Sequence, residues 1–284
     1  MATVGIIVHH EREQAAELAR DATAWLRERG HEVRLPLHDA AIARLTDVGT
    51  AEADFARGLD VAVSLGGDGT MLRTVDLVAA EDVPVIGVNV GQLGYLTEVE
   101  PAGMGLALKR FLAGSYDVEE RMLLAVTVEA DGFEANMHLA LNEAVLEKTP
   151  MGHTVRLGVS VDGETFTPYA ADGLIVATPT GSTAYAFSAR GPIVEPTHRC
   201  LLMTPVSPHM LFDRSLILDP AARVRIEVAG DRPATLSVDG HNLGILGQGD
   251  AVTCTAATLS ARFVTFGPRD FLRILKSKFG LSDR

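Results

Sequence analysis

The sequence predicts two fold classes in one chain: an α/β part, then an all-β part. Three features carry this expectation. Up to about residue 115, short apolar runs alternate with segments of helical period. Beyond it, alternating apolar and polar runs are separated by turn signals, with Asp-Gly at Asp131-Gly132, Asp162-Gly163 and Asp239-Gly240. Finally, a helical pattern returns at the C-terminus. The first rhythm implies a parallel sheet covered by helices. Asp-Gly between alternating segments is the signature of antiparallel hairpins.

The elements follow in order. "TVGIIV" (Thr3–Val8) is a buried-strand run. A helix should follow, with Ala15, Leu18, Ala19, Ala22, Trp25 and Leu26 on one face at spacings of three and four, and Gly30 as its stop. "HEVRLPL" and "DVAVSLG" read as strands, with a helix over Thr70–Ala80 after the second. "PVIGVNV" (Pro84–Val90) is another strand, and Met104–Leu112 another helix. After about Tyr116 the runs "LLAVTVEADGFEANMHLAL", "RLGVSVDGETFTPY", "DGLIVATP", "RVRIEVAGDRPATLSVDG" and "DAVTCTAA" imply a mostly antiparallel β-domain. In the tail, "RDFLRILKSKFG" spaces Phe271, Leu275 and Phe279 four apart before Gly280, a helix expected to dock back on the first domain.

Composition narrows the function classes. Of 284 residues 47% are apolar, enough for a sizeable core, and the net charge of −12 disfavours a general nucleic-acid binder. Cys200 and Cys254 have no metal-ligand spacing, and a reducing cytoplasm is the expected setting. "MATVGIIVHH" lacks a basic segment followed by a long apolar one, so no signal peptide is expected, and no apolar run approaches the roughly 18 residues of a membrane helix. The histidines show no HxH or HExxH spacing, so no structural zinc site is expected.

Three segments carry chemistry. The first is Gly66-Gly67-Asp68-Gly69-Thr70, between a strand and a helix. Glycines let backbone N–H groups approach phosphate oxygens, and the helix N-terminus adds partial positive charge. The loop lacks the lysine of a P-loop and carries a carboxylate instead. Asp68 could take a proton from an attacking hydroxyl or help hold a metal ion, and Arg73 could supply the missing cation. A tight turn with Asp68 or Thr70 as helix cap, and a solvated Arg73, remain the plain alternatives. The glycine-rich "GVNVGQLGYL" (Gly87–Leu96) is either a second ligand-contacting loop or a simple turn.

The second segment is "DGLIVATPTGSTAYAFSARGP" (Asp172–Pro192), where the strand Leu174–Ala177 runs into Thr178, Thr180, Ser182, Thr183 and Ser188, with Tyr185 offering an aromatic face. The third is Asn142-Glu143, able to hydrogen-bond a ribose or a base, or merely to form a polar turn.

Taken together and in this order, the three segments resemble the NAD kinase family. The resemblance implies a Rossmann-like α/β domain over 1–115, with 268–284 returning to it, and a β-sandwich-like dinucleotide-binding domain over 116–267. It implies transfer of the γ-phosphate of ATP to the 2′-hydroxyl of the adenosine ribose of NAD. Asp68 matches the catalytic carboxylate, and Gly66, Gly67, Gly69 and Thr70 the phosphate loop. Asp68 itself, Gly69, Arg73, Asn142, Glu143, His153 and Asp172 match dinucleotide contacts, as do Thr183, Ala184, Tyr185, Ala186, Phe187 and Ser188. Family members use a divalent cation, usually magnesium, with ATP, and are typically homodimers or homotetramers. Lipid and sugar kinases share a similar loop, so they remain alternatives, as does a non-catalytic NAD(P) sensor. Three positions depart from the family: Arg190 where glycine is usual, Ala170 where a basic residue is frequent, and His241 where glutamine is frequent.

Overall fold

Strand β1 (Thr3–Val8) is almost wholly buried, and helix α1 (Glu13–Arg27) covers it with Ala15, Ala16, Ala19, Ala22 and Leu26; Leu18 and Trp25 flank that face half-buried. The helix ends three residues before Gly30, which takes φ 77°, a left-handed value that glycine adopts without Cβ strain. β2 (Glu32–Pro36), α2 (Leu37–Ala43), β3 (Gly49–Thr50) and α3 (Glu52–Phe55) follow; no periodic pattern announces the last three. Next come β4 (Val61–Gly66), α4 (Asp68–Val78), β5 (Val85–Asn89) and α5 (Met104–Leu112). α4 begins two residues earlier than Thr70, because extended Gly67 already serves as its N-cap.

This computed structural model describes residues 1–91, 94–130, 137–150, 153–268 and 270–281. Asp131-Gly132 and part of the Gly87–Leu96 segment lie outside them. The chain divides into two compact units, Met1–Glu120 with Ala261–Arg284, and Arg121–Ser260. In the first, strand order is β5-β4-β1-β2-β3 and every pairing is parallel, for example Val4 with Val61 and Ala62 with Val85. The chain builds outward from β1 through β2 and β3, then returns to β1's other side with β4. Ligands in such sheets bind beyond the strands' carboxyl ends at this reversal.

β6 (Asp117–Glu129) leads the chain into the second unit, followed by β7 (Met137–Ala140), β8 (Glu143–Lys148), β9 (Val155–Val161), β10 (Glu164–Ala171) and β11 (Gly173–Ala177). A one-turn helix α6 (Tyr185–Ser188) precedes β12 (Leu201–Val206), β13 (Leu216–Leu218), β14 (Val224–Val228), β15 (Ala234–Val238), β16 (His241–Leu246) and β17 (Ala251–Thr265). One antiparallel sheet runs β13-β12-β11-β8-β15-β16; β10-β9-β14-β17 form the other, with β6 pairing β17 and β7. Inward residues of both sheets, among them Leu146, Val176 and Leu236 against Leu157, Ile226 and Val252, form one apolar core. Asp162-Gly163 and Asp239-Gly240 turn β9–β10 and β15–β16 with positive φ at all four residues, as hairpin chemistry requires.

β17 ends in the first unit, where Phe263 pairs with Val85, and α7 (Phe271–Phe279) belongs to that unit. Asp270 caps it, accepting the Arg273 N–H at 2.9 Å, and Gly280 closes it at φ 61°. Phe279, expected on the inward face, is instead 43% exposed, and no residue of the helix is fully buried.

Candidate active site

The Gly66–Thr70 loop leaves β4 beside the end of β1, at the sheet's reversal. A cavity of about 580 Å³ opens there, lined by Val8 to Arg12, Gly67 to Thr70, Arg73, Gly94 and Lys278. Each glycine has its own reason. A Cβ on Gly66 would stand 2.1 Å from the Thr70 hydroxyl, so packing requires glycine there. Gly67 and Gly69 face open space and have ordinary φ, so neither packing nor dihedral strain requires glycine; what they leave is bare backbone beside the cavity.

Asp68 does not cap its helix. Its two carboxylate oxygens accept the N–H groups of Tyr95 and Leu96 at 2.9 and 3.0 Å. Gly94 permits this approach, since a Cβ there would fall 2.1 Å from Asp68 Oδ1. The glycine-rich segment after β5 therefore orients the carboxylate. Burial, with the Asp68 charge second, pushes the Tyr95 phenol up, and Lys278 stands 5.0 Å over its ring.

Arg73 is not a free cation. Its guanidinium pairs with Asp39, which is completely buried and also accepts the Val8 N–H at 2.7 Å. His10 contacts Arg73 and stands 3.5 Å from Asp39. Burial, then the Arg73 charge, holds His10 below its ordinary value, so the ring is neutral near pH 7. The sequence held no signal for Asp39 or His10, because they lie on α2 and in the loop after β1, 34 and 63 residues from Arg73 on α4.

In the second unit, Asn142 and Glu143 form the turn into β8. Three elements grip it. Asp239 accepts N–H bonds from Leu141, Asn142 and Glu143. The Thr178 N–H donates to the Asn142 carbonyl at 2.8 Å. Gly181 packs so tightly that a Cβ would lie 2.2 Å from the same carbonyl oxygen. Thr183 and Ala184 lie half-buried, Ala186 is buried, and Tyr185, Phe187 and Ser188 are exposed. Asp172 pairs with Lys148 on the adjacent strand at 2.9 Å, so Lys148 supplies a cation where Ala170 offers none. His153 is exposed ahead of β9, with no hydrogen bond to the others among the described residues. Arg190 keeps the left-handed backbone of a glycine, φ 66°. Among the described residues no three His, Cys, Asp or Glu side chains are placed to hold a metal ion.

A parallel sheet whose reversal carries Gly-Gly-Asp-Gly-Thr, in a chain with an antiparallel sandwich, fits a small-molecule kinase that lacks the P-loop lysine. The chain belongs to the ATP-NAD kinase family: the family's N-terminal domain matches residues 4–116 and its C-terminal domain residues 141–266. It is 42% identical over 280 residues to the NAD kinase of Heliobacterium modesticaldum, covering 98% of each chain. Against the NAD kinase of Syntrophotalea carbinolica it is 38% identical over 290 residues, covering 100% of both. The crystal structure of yeast NADH kinase complexed with NADH matches with a TM-score of 0.92 at 26% identity, over 100% of this chain and 89% of that one. An NAD kinase from Archaeoglobus fulgidus in complex with ATP shares the fold, with a TM-score of 0.75 at 24% identity over 97% and 98% of the chains.

Proposed function

We propose that the chain transfers the γ-phosphate of ATP to the 2′-hydroxyl of the adenosine ribose of NAD, releasing NADP and ADP. The observation that carries the chemistry is Asp68: a carboxylate oriented by two N–H groups at the edge of an open, cation-lined cavity. In this reading Asp68 accepts the proton of the attacking hydroxyl as the new P–O bond forms and the bond to ADP breaks. The bare backbone at Gly67 and Gly69, the start of α4, and Arg12 and Lys278 receive the phosphates, the two cations taking the part of the one lysine of a P-loop. Asn142, Glu143, His153, Asp172 and the run Thr183 to Ser188 hold the dinucleotide.

A divalent cation, expected to be magnesium, would accompany the ATP and neutralise charge on its phosphates. The free cysteines Cys200 and Cys254 suit a reducing cytoplasm. As the family resemblance implies, the chain assembles as a homodimer or homotetramer.

The test is to incubate the protein with ATP and magnesium and, separately, NAD, NADH, diacylglycerol or fructose 6-phosphate, and to identify the product. NADP from NAD is expected. Phosphorylation of only the lipid or the sugar, or binding of NAD without turnover of labelled ATP, would overturn the reading.

A further inference from the structure

In the sequence Asp239 reads only as half of a turn signal. Its backbone does make that turn, but its carboxylate reaches a different loop. One oxygen accepts the Leu141 N–H at 2.6 Å; the other accepts those of Asn142 and Glu143 at 2.8 and 2.9 Å. The Asp239 N–H returns a bond to the Glu143 carbonyl at 3.0 Å. Three donors stabilise negative charge on this carboxylate.

The Glu143 side chain has the opposite surroundings. Glu143 is 7% exposed, and its Oε2 has no hydrogen-bond partner among the described residues. Besides burial, the largest influence, the groups acting on its carboxyl are the Asp239 charge, which opposes ionisation, and the Tyr185 N–H at the start of α6, which favours it. Three N–H donors serve Asp239, while among the described residues Glu143 has the Tyr185 N–H alone and lies buried beside the Asp239 charge. The Glu143 carboxyl is pushed up to about 8.

We propose that Asp239 is a positioning residue for the dinucleotide: it fixes the Asn142-Glu143 turn and keeps Glu143 in its acid form, so that Glu143 offers the ligand an O–H donor. The acceptor is an uncharged oxygen or ring nitrogen of the dinucleotide. The inference rests on the reading of this turn as an NAD contact.

Two measurements test it. The Glu143 carboxyl is titrated in the ligand-free protein by carbon NMR, assigned by loss of its signal in Glu143→Gln. A midpoint near 8 is expected, and a lower one in Asp239→Asn. A midpoint near the ordinary 4.5, or one that Asp239→Asn leaves in place, overturns the proposal. NAD binding is then followed by calorimetry as pH rises from about 6 to about 9. Wild-type affinity should fall about tenfold per pH unit above the midpoint, and Glu143→Gln, whose amide is a fixed donor, should give a level profile. A level wild-type profile overturns the ligand-donor role. Absence of NAD binding at every pH overturns the functional reading instead, and the titration still decides the protonation state.

Discussion

Each unit holds a carboxylate that grips a distant loop by its backbone, and the two are used in opposite ways. In the first unit Asp68 accepts two N–H groups from the segment after β5 yet borders an open cavity. In the second, Asp239 accepts three N–H groups from a turn whose own acid, Glu143, is buried. In one case the loop orients the acid; in the other the acid orients the loop. The difference follows from architecture. A parallel sheet leaves its strand ends open at the reversal, so a reactive group sits on the rim. A sandwich packs its strand ends against neighbouring turns, so polar groups there become buried and must share few donors.

The sharpest way to break the comparison is Asp68→Asn. Under the proposed mechanism turnover falls by at least about a hundredfold while NAD affinity stays within a few-fold. Near-normal turnover in steady-state kinetics would show that Asp68 is held as Asp239 is, for structure alone.

A second test uses pH and stability. The Glu143 carboxyl lies at about 8 when folded against an ordinary 4.5. Between those values the folded chain keeps a proton that the unfolded chain loses, so stability falls as pH rises through that window. Removing this group in Glu143→Gln should flatten the decline by roughly 3 to 4 kcal/mol between about pH 5 and about pH 8, read by urea unfolding at each pH. An unchanged decline would mean the acid is not buried as described.

A smaller effect is expected from Gly94→Ala, whose Cβ would press on the Asp68 carboxylate. Turnover should drop about tenfold with melting temperature nearly unchanged, the mark of a misplaced group rather than a lost one. Equal turnover would show that the clasp on Asp68 is dispensable. The smallest belongs to Lys148→Ala. Its pair with Asp172 is about one-third exposed on both sides, so stability should change by about 0.5 kcal/mol. A rise in KM for NAD beyond what that loss explains would mark Lys148 as a ligand contact.

The sequence alone determined what is local. Apolar runs specified β1, β4 and β5, the helical period specified α1 and α5, and Asp-Gly specified the hairpin turns at Asp162 and Asp239. Contiguous motifs likewise announced the loop of Asp68 and the segment through Tyr185, since a strand, a glycine turn and a helix start are neighbours in the chain. Where the reading failed, the cause lay outside the segment. Phe279 has the right spacing for burial, yet it stays 43% exposed. Only the tertiary structure decided the rest. It joined Asp39 and His10 to Arg73, Lys148 to Asp172, and Asp239 to the Asn142-Glu143 turn. Each pairing is set by strand order and register, which bring residues about 20 to almost 100 positions apart into hydrogen-bond range. Periodicity tells a segment which face to bury; charges and donors find partners only once sheets have closed around them, where leaving one unpaired costs most.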